Sequence, residues 1–134
     1  MATAKYPHMK ADEAAVWDRF LKKIPWKVVS VMYDVRLGEG TVIAEGVPAW
    51  VKGMAWALST KRVDAIVETP MEFVLVEVKD RGALSAVGQL LGYLVLFNKQ
   101  YRPQKRVRLA LVCAVIAPDM EPILKEYGIE TYMV

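Results

Sequence analysis

Histidine and cysteine are nearly absent from this sequence: its 134 residues include one of each, His8 and Cys113. A structural zinc site takes about four such ligands and a catalytic one about three, so no zinc cluster can be built. A lone cysteine has no internal disulfide partner, and nothing points to secretion. A Cys113–His8 nucleophile pair is conceivable. However, Cys113 lies inside the apolar run 109–116 and His8 in a polar N-terminal tail, whereas reactive thiols sit in partly exposed, electropositive surroundings. Hydrolytic chemistry is therefore left to carboxylates and lysines. Long hydrophobic runs are also missing. The longest, 83–97, is shorter than a membrane span and is interrupted by Gln89. The opening Met-Ala-Thr-Ala-Lys-Tyr-Pro-His lacks the apolar core of a signal peptide. The expectation is a soluble, cytoplasmic protein with no membrane partner. Asparagine occurs once, as Asn98, which leans faintly towards a thermophilic source; seven methionines lean the other way.

What is present is a globular balance, 54% hydrophobic and 25% charged residues, rather than a disordered one. The length fits one domain, 1–134, able to bury about two-thirds of its unfolded surface. Residues 1–10 read as a flexible N-terminal arm. The net charge of +3 permits a polyanionic partner without demanding one.

Trp17, Phe20, Leu21 and Ile24 recur at helical spacing, which predicts a helix over 12–23 with Asp12 as cap and Pro25 beyond its end. Residues 27–37, rich in valine, read as a strand. Residues 38–59, with four glycines, Pro48, Trp50 and Trp56, read as a long hairpin or loop. Two strands, 62–68 and 73–79, flank Thr69-Pro70-Met71-Glu72. A largely buried helix follows over 83–100, then a two-face-covered central strand over 107–116. Pro118-Asp119 opens a short helix that Gly128 closes, and 129–134 forms a final edge strand. The strand–helix–strand unit from 73 to 116 should be a right-handed crossover with parallel strands, and the earlier strands should be antiparallel. The fold class is thus α/β with a mixed sheet and helices on both faces.

The sharpest signal is a charge in an apolar strand. In Phe73-Val74-Leu75-Val76-Glu77-Val78-Lys79, the two-residue period puts Glu77 and Lys79 on the face of Phe73 and Leu75. A core charge is costly unless paired or metal-bound. If the turn is centred between Pro70 and Met71, Asp64 falls directly across from Glu77, at about 5 Å between Cβ atoms, where like charges repel and need a cation. A slip of one residue would undo this register. Two carboxylates beside a lysine suit phosphodiester cleavage: the acids hold Mg²⁺, and Lys79 orients the attacking water or neutralises the developing oxyanion. Taken alone, Glu-x-Lys is common and reads as a surface ion pair on a half-exposed strand; Asp64 on the preceding strand and the elements that follow turn the reading towards a site.

Lys61-Arg62-Val63-Asp64-Ala65-Ile66-Val67-Glu68, then Val74-Leu75-Val76-Glu77-Val78-Lys79, then Gly88-Gln89-Leu90-Leu91-Gly92-Tyr93 resemble the PD-(D/E)XK nuclease superfamily, with the Gln-x-x-x-Tyr helix of its RecB-like branch. The resemblance implies a restriction-endonuclease-like, three-layer αβα core. Its order is α-β-β-β-α-β, here with a C-terminal α-β extension. It implies a deoxyribonuclease acting on DNA, with Mg²⁺ as cofactor and Mn²⁺ able to substitute. Asp64, Glu77 and the backbone carbonyl of Val78 would be metal ligands, Lys79 the catalytic lysine, and Gln89 and Tyr93 the helix residues flanking the site. Val63 stands where the family's name has proline. Glu13 is a further metal-ligand candidate, since relatives carry an acid on the first helix; equally, Asp12 and Glu13 favour a helix N-terminus. The alternative reading is a catalytically silent nucleic-acid-binding or assembly subunit.

Gln89 and Tyr93, four apart, share a helix face, and a polar Gln89 in an apolar helix needs a partner. The plain alternative is a satisfied amide and a core tyrosine. Gly88 and Gly92 read as close packing of the helix on the sheet. Lys61, Arg62, Arg81, Arg102, Lys105 and Arg106 are candidate phosphate contacts, or else a solvated charged surface. Trp50 and Trp56 could stack on bases or belong to the core. Cutting both strands of a duplex would favour a homodimer.

Overall fold

The computed structural model describes residues 6–40, 44–59 and 61–134, with the side chains of 55–59 left out. The elements run α1 (Ala11–Leu21), β1 (Ser30–Leu37), α2 (Ala49–Ser59), β2 (Lys61–Glu68), β3 (Glu72–Gly82), α3 (Leu84–Tyr101), β4 (Arg106–Ile116), α4 (Met120–Glu126) and β5 (Ile129–Met133). The five strands form one mixed sheet in the order β1-β2-β3-β4-β5. β1/β2 and β2/β3 are antiparallel, while β3/β4 and β4/β5 are parallel. Residues 83–105, including α3, carry the chain between the parallel β3 and β4, as a crossover must. The final strand lies at the sheet's edge, as its position in the sequence implied.

Strand periodicity divides the core into two layers. On one face Ala65, Val67, Val74, Val76, Val78, Ala110 and Val112 pack with Ala14, Val16, Trp17 and Phe20 of α1. On the other, Ile66, Leu75, Leu109, Leu111 and Cys113 pack with Leu90, Tyr93 and Phe97 of α3 and Leu124 of α4. This is the expected three-layer αβα arrangement. Gly82 lets β3 run close to β4 before α3 begins: a Cβ there would lie 3.2 Å from the Leu111 side chain.

Three stretches differ from the sequence reading. The arm reading fails for residues 6–10. Tyr6 and Met9 are only 4% and 3% exposed, and the Tyr6 hydroxyl donates to Asp18 at 3.0 Å. Residues 1–5 lie outside the described residues. The 38–59 stretch is not a plain loop, since its second half is helix α2. Pro48 sits just before the first turn, where its missing N–H costs nothing, and its carbonyl accepts from Val51 and Lys52. The signal was hidden because the described first half of α2 leaves its large apolar side chains out: Trp50 is 70% and Met54 54% exposed. Residues 41–43 and the Trp56 side chain lie outside what is described. The first helix ends at Leu21 rather than residue 23, and β1 begins at Ser30 rather than residue 27.

Candidate active site

The site is built on the β2–β3 hairpin. Its register, Ala65↔Val76, Ile66↔Leu75, Val67↔Val74 and Glu68↔Phe73, is the one the centred turn predicts. Pro70-Met71 is poor turn chemistry, but Thr69 supplies what the turn lacks. The Thr69 N–H donates to the Glu72 carbonyl at 2.9 Å, and the Thr69 hydroxyl accepts from the Glu72 N–H at 3.0 Å.

Continued one step further, this register would set Asp64 against Glu77, but the ladder stops at Ala65↔Val76. Instead the Asp64 Oδ2 accepts the Val78 N–H at 2.8 Å. On the other side of β2 the pairing skips as well. Tyr33 faces Ala65 and Val35 faces Val63, with Asp34 between them in the left-handed region at φ 52°. Asp64 therefore sits at a break in both ladders, where a strand re-aims a side chain.

The carboxylate of Asp64 meets that of Glu77, which is 2% exposed on the α3 face of the sheet. Burial first, and then the hydrogen bond to Asp64 and its charge, push the Glu77 pKa up from 4.5 to about 9. At neutral pH Glu77 thus holds a proton and can donate it to Asp64. Lys79 Nζ, one-third exposed, stands 4.0 Å from Glu77 Oε2; its charge pulls the Glu77 pKa down but is outweighed by burial and Asp64. The Tyr93 hydroxyl donates to the same oxygen at 3.4 Å, and burial together with the two carboxylates keeps that phenol protonated. One helical turn earlier, Gln89 Oε1 is buried with no hydrogen-bond partner among the described residues.

Gln89 and Tyr93 line a cleft of about 840 Å³ together with Lys61, Arg62, Gly88, Gly92, Val95 and Leu96. Gly88 and Gly92 do not serve close packing on the sheet: a Cβ at either would meet nothing within 4 Å. They leave the helix surface bare where it faces the cleft.

The two carboxylates fit a cation by the chemistry of their donors. All are oxygens, Glu77 is buried against Asp64, and the Lys79 ammonium stands 4.0 Å away. No cluster of three His, Cys, Asp or Glu suited to a metal exists among the described residues. The protein side would therefore be Asp64, Glu77 and a backbone oxygen, with water completing the shell, as Mg²⁺ accepts. Glu13 is not part of this group. Its carboxylate caps α1, accepting the Lys10 N–H at 3.1 Å, so the helix-terminus reading prevails. Cys113 is fully buried, and burial raises its thiol pKa, which excludes it as a nucleophile.

The candidate phosphate contacts fall into two groups. Lys61, Arg62 and Arg81 lie towards the carboxylate end of the hairpin, and Arg62 is held by both oxygens of Asp34, its Nε at 2.6 Å. Arg102, Lys105 and Arg106 gather at the other end. β4 starts there, with Arg106 beside Glu72, five ladder positions from the level of Glu77, or about 16 Å. Lys105 is bound to Glu68 and to the Thr69 carbonyl, and Arg106 lies 3.8 Å from Glu72. That second group does not border the acidic pair.

One neighbour of the site was missed. His8 Nε2 lies 3.1 Å from the Asp64 carbonyl oxygen, and its side chain is 7% exposed. A lone histidine in a polar tail gives no periodic signal, and only the flanking Tyr6 and Met9, both buried, hint that this segment is anchored.

The fold resembles two solved structures. A repair endonuclease from Pyrococcus abyssi aligns at a TM-score of 0.53 and 20% identity over 91% of this chain and 46% of that one. An EndoMS–dsDNA complex aligns at 0.51 and 20% over 92% of this chain and 44% of its own. The chain thus spans less than half the length of either. No curated protein sequence matches it. Among the described residues no helix is long and apolar enough to cross a membrane. A family model described as the endonuclease NucS C-terminal domain matches residues 51–134, more than half of the sequence and all of the acidic pair, cleft and parallel strands, and the chain belongs to that family.

Proposed function

We propose that this chain carries the hydrolytic centre of a Mg²⁺-dependent DNA endonuclease of the PD-(D/E)XK type. The observation that carries the reading is Glu77, a carboxyl buried in the sheet's core, forced against Asp64 and bonded to Tyr93, which lines an open cleft. The family and the fold neighbours support it. One neighbour is a repair endonuclease and the other was captured with double-stranded DNA.

In this reading Asp64, Glu77 and the Val78 carbonyl hold the ion, and Mn²⁺ can substitute. The bound ion supplies Lewis acidity at the phosphate and lowers the pKa of coordinated water. Glu77 would hold such an ion as a carboxylate, because an adjacent cation reverses the balance that raised its pKa. The Val78 N–H fixes Asp64 Oδ2, so one oxygen of that acid keeps a set direction. Lys79, partly exposed beside Glu77, orients the water or offsets charge developing on the phosphate. Gln89 and Tyr93, the Gln-x-x-x-Tyr pair of a RecB-like site, border the scissile strand from α3, and the unpartnered Gln89 Oε1 accepts from it or its water shell. Lys61, Arg62 and Arg81 hold flanking phosphates. Cleavage of both strands of a duplex takes two copies, which favours a homodimer.

A second reading, a silent DNA-binding or assembly subunit, draws on one observation: the chain spans less than half of its structural neighbours. Incubation with single-stranded, duplex and branched DNA, in Mg²⁺, Mn²⁺ or chelator, separates the two. The nuclease reading expects metal-dependent cleavage. Salt-sensitive binding without any cleavage supports the silent subunit instead.

A further inference from the structure

The break in the ladders leaves a question about Asp64: what holds its backbone. Asp64 has no ladder partner towards β1 or β3. Its carboxylate is fixed by Val78, but a carboxylate is only as well placed as the main chain that carries it. A backbone carbonyl at such a break needs a donor from elsewhere.

His8 provides that donor. Its Nε2 is 3.1 Å from the Asp64 carbonyl oxygen. A carbonyl only accepts, so Nε2 carries the hydrogen, which sets the ring's tautomer when it is neutral. The same nitrogen lies 3.9 Å from Asp64 Oδ1, beyond hydrogen-bond range, so the ring braces the main chain rather than competing for the carboxylate. The ring is itself held. Tyr6 and Met9 on either side of it are buried in the α1-side core, a turn closes from Met9 N–H to the Tyr6 carbonyl at 3.0 Å, and the Tyr6 ring rests 5.2 Å from Tyr33. Tyr33 is the residue before Asp34, where the β1–β2 ladder skips one pair.

We infer that His8 is a positioning residue: its Nε2–H clamps the Asp64 main chain so that the Asp64 carboxylate is preset for a divalent cation. The inference rests on the nuclease reading above. Partners of this kind, lying behind the ligands, typically change metal affinity by about 10–100-fold.

The test uses the full chain and Mn²⁺ as the probe. Binding is read by calorimetry without DNA, and cleavage is resolved into kcat and KM. His8→Phe keeps a packed ring and removes the donor; His8→Gln restores an N–H donor. The expected result for His8→Phe is Mn²⁺ binding weaker by about 10-fold and a matching fall in kcat, with KM for DNA unchanged. His8→Gln should recover most of both. If the unmodified chain neither binds Mn²⁺ nor cleaves, the nuclease reading itself is lost. If it does both and His8→Phe matches it, the role of His8 alone is overturned. Should His8→Phe fail to melt cooperatively, His8→Gln decides: near-native Mn²⁺ affinity supports the clamp, and a folded Gln variant as weak as Asp64→Asn refutes it.

Discussion

The β2–β3 hairpin carries acids at both ends, and the two ends treat them in opposite ways. At the turn, Glu68 is bound by Lys105, and Glu72 accepts from Arg108 at 2.8 Å. Arg108 also holds Glu130 at 2.7 Å, and its planar head lies over the Trp26 ring. Each carboxylate there has a cation, and the Lys105 and Arg108 partners hold Glu68 and Glu130 below the usual carboxylate range. At the open end, Asp64 and Glu77 face each other with only the Lys79 ammonium at 4.0 Å from Glu77, and Glu77 is pushed up instead. The same residue type on the same two strands is a finished ion pair in one place and an unfinished one in the other. Structure-building charges are neutralised from within. On the nuclease reading proposed above, the acidic pair at the open end is where a cation from solution would complete the balance.

Four experiments press on this contrast, from the largest effect to the smallest. Asp64→Asn and Glu77→Gln should each lower cleavage by about 10³-fold or more, the scale of removing a group that acts only at the reacting phosphate. Asp64→Asn keeps an oxygen for the Val78 N–H, and Glu77→Gln replaces a protonated acid by a neutral amide, so both melting temperatures at neutral pH should stay close to that of the unmodified chain; a variant that keeps its rate would move the site elsewhere. Lys79→Ala should lower kcat by about 10²-fold with little change in stability, as measured by steady-state kinetics and thermal melts.

The third test is pH. The folded Glu77 pKa of about 9 stands above its ordinary 4.5, so the stabilisation from this group is full below the lower value and is lost as pH rises through the higher one. In chelator, the melting temperature should fall between about pH 5 and 9, and Glu77→Gln should flatten that fall. Mg²⁺ should stabilise more at the alkaline end, where it displaces fewer protons. A melting curve indifferent to both metal and pH would show the two ends of the hairpin to be alike. The last and smallest effect belongs to the paired end. Arg108→Ala should cost about 1–2 kcal/mol of stability by urea titration, since it strands two carboxylates at a partly buried place, while cleavage well below the melting temperature stays unchanged.

Much of this arrangement was legible beforehand because strands report on themselves. Glu77 announced itself as a charge on a face otherwise made of Phe73 and Leu75, and a turn centred at Pro70-Met71 sufficed to align Asp64 with it. The ladder's end was not legible, because it depends on Asp34 adopting a left-handed conformation on a strand 30 residues away in sequence, and aspartate tolerates several conformations there. Helix α2 was hidden by the opposite problem: with Trp50 and Met54 exposed, it lacks the one-sided pattern that marks a helix. Glycine misled for a related reason. Gly88 and Gly92 at four-residue spacing look the same whether the bare face meets a sheet or a cleft. The distance of Arg102, Lys105 and Arg106 from the acids was not legible either, because nearness in sequence to the long helix does not say which end of that helix faces them.

The Thr69–Glu72 turn has a consequence for how the molecule comes to exist. Asp64 and the Val78 amide it captures are only 14 positions apart, bridged by one tight hairpin. Closing so short a loop costs little chain entropy, and such contacts form early and fast. The contact that aims Asp64 is therefore local to the hairpin, whereas the cover over Glu77 comes from α3, outside it. The cover is the larger influence on the acid, since burial ranks above Asp64 among the causes that raise the Glu77 pKa.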